Sequence, residues 1–233
     1  MQQPVLSFGG KFYDEPSQHL WQQILQRPVV EQQNLNDTVN AIMLDVKNNG
    51  DEAVKKYTAK FDGISLDSTI VTPDEFAEEN DLVDDQLKKA ILYAKKNIET
   101  FHKAQIETQP KTETAPGVFC WRKSVAIQSV GLYIPGGTAP LFSTVIMLGV
   151  PAAIAGCPDI SLCTPLAKNG KIHPAILFAA SVAGINKVYK IGGVQAIAAM
   201  AYGTESIKKV FKIFGPGNQY VTAAKSICST QGT

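Results

Sequence analysis

Reactive side chains are scarce in this chain. Its 233 residues hold three histidines, His19, His102 and His173, in separate segments with no HxxxH or Cys/His ligand spacing, so they form no recognisable metal motif. The four cysteines, Cys120, Cys157, Cys163 and Cys228, lack CxxC spacing. The opening MQQPVLSFGGKFYDEP has no basic region followed by an apolar core, so no secretion signal is visible. A reduced, cytoplasmic chain is the expectation. Charge of one sign is also missing. Twenty-two Lys and Arg against 21 Asp and Glu leave a net charge of +1. With no Lys/Arg run and no aromatic–basic interleaving, a nucleic-acid surface is not expected. Long apolar runs are absent as well. The best candidate, Leu141–Cys157, contains Ser143, Thr144, Gly149 and Pro151 and falls short of the ~20 residues a membrane span needs. A helix packed on a sheet fits it better, and no membrane contact is expected.

The standard dinucleotide fingerprint is missing too. It places GxGxxG after the first strand and an acid about 20 residues later, at the end of the second strand, to hold a ribose. Here the first turn reads Pro135-Gly136-Gly137-Thr138. The second strand closes on Cys163-Thr164-Pro165-Leu166, without a carboxylate. Any nucleotide site must therefore be atypical.

What the chain does have is three glycine-bearing turns, each ending an apolar strand and opening a helix: Gly131–Thr138 (GLYIPGGT), Gly192–Gln195 (GGVQ) and Gly215–Asn218 (GPGN). Glycine lets backbone approach a ligand, and a helix N-terminus offers unpaired N–H groups. The surrounding pattern is a strict alternation. Strand Val130–Ile134 precedes helix Ala139–Gly156, and strand Ile160–Cys163 precedes helix Pro174–Ala183. Strand Lys187–Ile191 leads to helix Val194–Tyr202, and strand Val210–Phe214 to helix Asn218–Ser229. Short apolar strands alternating with helices imply a parallel sheet covered on both faces. Right-handed crossovers then put all the strand-to-helix turns on one edge.

The part before Val130 is helix-rich. Leu20, Trp21, Ile24 and Leu25 mark a helix over Glu15–Arg27 that Pro28 stops. Asn36 or Asp37 caps a helix with Val39, Ile42, Met43 and Val46 inward. After Asn49-Gly50, Asp51 caps a shorter helix with Val54, Tyr57 and Phe61, ending at Asp62-Gly63. A strand near Thr69–Val71 leads into a helix start at Thr72-Pro73-Asp74-Glu75. A long helix follows from Asp84 to about Ile106, with Leu87, Ile91, Ala94, Ile98 and Phe101 on its apolar face. Glu107–Gly117 reads as a loop, and Val118–Trp121 and Val125–Val130 as strands.

Three polar side chains stand at the turns: Tyr133, Gln195 and Asn218. Each can form a hydrogen bond, and Tyr133 also has a stacking face. Each has a structural reading beside the ligand-binding one, clearest for Asn218 as a helix N-cap. Cys157 is read as a small buried residue, because no base lies near it in sequence.

The stretches VGLYIPGGTAPLFSTVIMLGVPAAIAGC, IGGVQAIAAMAYGTESI and KIFGPGNQYVTAAK resemble the histidinol dehydrogenase family. So do Asp51-Glu52-Ala53 with Tyr57 and Phe61, and Asn97-Ile98-Glu99-Thr100-Phe101-His102. The likeness runs from about Pro28 to the end. It implies an enzyme that oxidises L-histidinol through the aldehyde to L-histidine, the last two steps of histidine biosynthesis, using two NAD and a zinc ion. The implied fold has two incomplete Rossmann-like domains in an intertwined homodimer. Matched position by position, the family's NAD-contacting residues fall on Tyr133, Gln195 and Asn218.

The family's zinc ligands (a glutamine, an aspartate and two histidines), its Glu-His acid/base pair and its substrate-contacting serine match nothing in this chain. The expectation is therefore an N-terminal half, inactive alone, with no catalytic or metal-ligating residue of its own. In α/β terms it holds a helix-rich first part of one incomplete Rossmann-like domain, followed by a second, parallel-sheet one. The implied division is an N-terminal helical extension over 1–28, the first part of the catalytic domain over 29–130, and the NAD-contacting domain over 131–233. With half a domain absent, the face of Leu87, Ile91 and Ile98 is expected to be partly uncovered and to favour association. Two other readings remain open. One is a non-catalytic nucleotide-binding or assembly module; the other is an aldehyde-dehydrogenase-like enzyme using Cys157.

Overall fold

A computed structural model of the chain describes residues 13–25, 32–107, 109–137 and 139–232. A 3-10 turn at Gln18–Leu20 runs into α1 (Trp21–Leu25). The rest of the helix expected there, with Arg27 and Pro28, lies outside the described residues. Next come α2 (Gln32–Asp62), α3 (Pro73–Asp81) and α4 (Asp85–Lys103), then a hairpin of β1 (Thr112–Ala115) and β2 (Val118–Cys120). The alternating part holds β3 (Ser129–Tyr133), α5 (Phe142–Ile154), β4 (Asp159–Cys163) and α6 (Pro174–Val182). It finishes with β5 (Lys187–Tyr189), α7 (Gly193–Tyr202), β6 (Lys212–Phe214) and α8 (Gln219–Thr230).

Strands β3 to β6 form one parallel sheet in the order β5-β4-β3-β6. Beyond β5, Ile70 adds an antiparallel bridge to Tyr189, fixed by Val71 N–H to Val188 O and Lys190 N–H to Thr69 O. The chain thus builds outward from β3 through β4 to β5, then returns to lay β6 on the other side of β3. This is the first half of the doubly wound order, with its reversal between β3 and β6.

Helices cover both faces in two layers each. On one face α7 and α8 lie on the sheet, and α2 packs over them through Val39, Ile42, Met43, Val46 and Val54. On the other, α5 and α6 lie on the sheet, with α4 and α3 outside them. Helix α7 is sandwiched between sheet and α2, so every residue from Val194 to Ala201 is buried. Its alanines let the layers approach closely. Gly131 leaves the space that Met200 Sδ fills, because a Cβ there would lie 2.5 Å from the sulfur.

Several local expectations are corrected. Asn36 and Asp37 lie inside α2 instead of capping it, whereas the expected break at Asn49-Gly50 is present: Gly50 leaves helical geometry (φ 50°, ψ −131°) and divides α2 into two helical segments at a kink. The N–H of Asp51 is capped by Glu205 Oε2 at 2.8 Å, from the loop after α7. Phe61 turns outward. Thr112–Ala115 is a strand paired with β2, and β3 begins only at Ser129. On the Leu87, Ile91 and Ile98 face only Ile91 is buried, while Leu87 and Ile98 are half-buried against the second core cluster, so the face stays partly uncovered as expected; the large exposed apolar side chains of α4 are Leu92, Tyr93 and Phe101. The capping at Thr72 and Asp84 is present. Thr72 Oγ1 accepts from Glu75 N–H while Glu75 Oε2 accepts from Thr72 N–H, and Asp84 Oδ1 accepts from Leu87 N–H.

Candidate cofactor-binding cleft

The three glycine turns meet at the carboxyl edge of the sheet, where the strand order reverses. They are drawn together by backbone-level packing. The Pro165 ring, just after β4, fills the space beside Gly136 and Gly192, since a Cβ on either would lie 2.6 Å from it. Gly215, just after β6, adopts φ 138°, and a Cβ there would collide with the backbone carbonyl of Tyr133. The third turn is further held by Lys225, whose Nζ donates to Gly215 O at 2.9 Å.

Between the turns lies a cleft of about 840 Å³. Tyr133, Gln195 and Asn218 all line it. Tyr133 ends β3 at 3% exposure, and its hydroxyl accepts the Gly193 N–H at 2.9 Å. Burial pushes its phenol pKa upward. Gln195, in the first turn of α7, is 1% exposed, and its Oε1 has no hydrogen-bond partner among the described residues. Asn218 caps α8: its Oδ1 accepts from Tyr220 and Val221 N–H groups, each at 3.1 Å. That leaves the amide NH₂ as its remaining hydrogen-bonding group.

Burial removes the stacking role expected for Tyr133. The exposed aromatic rings of the cleft are Tyr220, 41% exposed, and Phe61, 52% exposed; Phe61 stacks on Tyr57 with centroids 5.9 Å apart and has Lys60 Nζ over its ring at 5.5 Å. Phe61, Asp62, Thr38 and Ile42 bring α2 into the cleft wall, a contribution that sequence reasoning missed. The dipeptide Asp62-Gly63 signalled a helix end and nothing more. Thr138, the last residue of the first turn, lies outside the described residues.

A second, more open depression of about 590 Å³ between β6 and α8 shares Gly215–Gly217 but includes neither Tyr133 nor Gln195. The histidines lie elsewhere. His173 caps α6, its Nδ1 accepting from Ala175 N–H at 3.2 Å, while His102 bonds Gln105 and His19 bonds Ser17. Among the described residues no group of three or more His, Cys, Asp or Glu is placed to hold a metal ion. Cys157 is half-buried just past α5 and outside the cleft; Cys120, in β2, is exposed.

Sheet order, helix layers and switch-point cleft together define a Rossmann-like α/β protein. The defining sequence profile of the family described as histidinol dehydrogenase matches residues 25–233. The chain belongs to the histidinol dehydrogenase family. It is 58% identical over 219 residues to a histidinol dehydrogenase of Bacteroides thetaiotaomicron, covering 94% of this chain and 51% of the relative. Against that of Escherichia coli K12 it is 50% identical over 204 residues, 87% of this chain and 46% of the relative. The crystal structure of histidinol dehydrogenase from Elizabethkingia anophelis superposes with a TM-score of 0.86 at 50% identity. That match covers 95% of this chain and 51% of the other. The chain spans about half the length of the curated relatives it matches.

Proposed function

We propose that this chain supplies the NAD-holding part of an enzyme that oxidises L-histidinol to L-histidine through the aldehyde. One observation carries the reading. A buried glutamine oxygen stands without a partner in the same cleft as Tyr133 and Asn218. An unpaired buried acceptor is costly, so a ligand that donates to it is favoured.

The residues present fit a dinucleotide. Gln195 and Asn218 offer side-chain hydrogen bonds, and the Gly136–Gly137 and Gly215–Gly217 turns admit close backbone approach. Tyr133 occupies the Gly193 N–H, so it orients the start of α7 and does not present a flat ring. The exposed ring of Tyr220 can pack on a planar base. NAD, when bound, supplies hydride acceptance. For zinc the fit fails: the described residues assemble no donor set. In this reading the zinc ligands and the acid/base pair belong to the remaining half of the relatives' length. Residues 131–233 are then the cofactor-contacting unit, 29–130 the first part of the catalytic unit and 1–28 an extension. The working assembly is a cytoplasmic homodimer acting on L-histidinol.

Calorimetric titration of this chain with NAD tests the reading. Saturable binding weakened about 10-fold or more by Gln195→Leu is expected, with no histidinol-dependent NADH formation by the chain alone. Absence of NAD binding, or robust turnover, counts against it.

A further inference from the structure

The second strand closes without the carboxylate that a dinucleotide fold normally uses on ribose, and the structure shows a carboxylate reaching the cleft by another route. Among the residues lining the cleft, Asp62 is the one with a charged side chain; no Lys, Arg or His joins it. It comes from the last residue of α2, an element outside the alternating strand–helix units. There it lies close enough to the buried Tyr133 to act on its phenol electrostatically. Helix α2 is fixed over α7 and α8 by the Val39–Val54 apolar stripe, so the position of Asp62 is set by packing on the cofactor layer itself.

We infer that Asp62 reads the ribose, accepting hydrogen bonds from an unmodified ribose diol and repelling a phosphate there, and so makes the cleft selective for NAD over NADP. This rests on the cofactor reading above. Chemistry and surroundings agree. A carboxylate accepts from two hydroxyls and donates nothing, which suits a diol. The lining itself holds one carboxylate and no cation to neutralise a further phosphate; Lys60, over the Phe61 ring at 5.5 Å, stands outside the lining. Partial desolvation raises the Asp62 pKa with no hydrogen bond to offset it, while the side chain stays exposed to a ligand entering the cleft.

The test is calorimetric titration of the full chain, and of its Asp62→Asn and Gln195→Leu variants, with NAD and with NADP. The chain is expected to bind NAD at least about 10-fold more tightly than NADP. Asp62→Asn should weaken NAD and strengthen NADP, bringing the ratio close to one, while Gln195→Leu weakens both alike. Asp62 stands at a helix end on the open side of the cleft, so the variant is expected to keep the parent's melting temperature. If NAD binds, responds to Gln195→Leu and keeps its preference over NADP in Asp62→Asn, the ribose role is overturned while the cleft stands. If NAD binds but ignores Gln195→Leu, or fails to bind at all, the cleft reading fails and this inference with it.

Discussion

The backbone N–H of Gly193 donates to the Tyr133 hydroxyl across 2.9 Å, tying the first turn of α7 to the end of β3. One of the helix's free N–H groups is thereby satisfied from within the protein, and the Gly192-Gly193 turn is fixed relative to the sheet edge. Tyr133→Phe keeps the ring and removes the acceptor. It is expected to lower the unfolding free energy by about 1 kcal/mol in urea denaturation, and to weaken NAD binding through the misplaced turn. A variant with unchanged stability and binding would show that the hydroxyl positions nothing.

The close approach of Gly215 to the Tyr133 carbonyl gives a sharper contrast. At φ 138°, with a backbone atom in the way, Gly215→Ala cannot be relieved by a rotamer change. A loss of about 2–4 kcal/mol is expected. At Gly137, in the first turn, an added methyl would meet no heavy atom within 4 Å, so Gly137→Ala should fall within about 0.5 kcal/mol of the parent. Similar melting curves for the two variants would contradict the packing of β3 against the third turn.

Acid titration probes the outer face of α2. Asp45 accepts from Lys56 Nζ and from Asn49 Nδ2, each at 2.7 Å, and these bonds pull its carboxyl from 3.8 down to about 2. A depressed folded-state pKa means the contribution is present above pH 3.8 and fades as pH falls toward 2. The melting-temperature gap between the parent and Asp45→Asn should therefore be positive near neutrality and close in acid. A gap independent of pH would show that the pair does not couple to folding.

Thiol labelling orders the cysteines. Cys120 is exposed and should react first, with half-buried Cys157 behind it. Cys163 and Cys228 are buried; desolvation raises both thiols, Cys228 to about 11, so both should resist until urea is added. A Cys157 that outruns Cys120 would revive the reading in which it is a nucleophile.

The alternating half was legible because each of its elements carries a local signal. The strands from β3 to β6 are short apolar runs bounded by glycine or proline, and Asn218, Thr72 and Asp84 sit where helix caps must. Positions settled by distant contacts were not legible. Asp51 looks like a cap, yet Glu205, far along the chain, supplies the acceptor. Thr112–Ala115 has no apolar alternation because both faces of its hairpin are exposed. Phe61 fits the helical stripe of α2, yet it is exposed, with Tyr57 stacked on it and Lys60 over its ring. As the last two residues of α2, Phe61 and Asp62 both line the cleft. Tyr133, Gln195 and Asn218 were identifiable as a set, whereas the burial of Tyr133 depended on the Gly192–Gly193 turn folding over it.

The most direct measurement is a crystal structure of this chain grown with NAD. The dinucleotide is expected between the β3 and β6 ends, with a donor on Gln195 Oε1 and contact to Asn218. Density for it in the depression between β6 and α8, or a cleft still empty at saturating NAD, would contradict the assignment of this edge as the cofactor's seat.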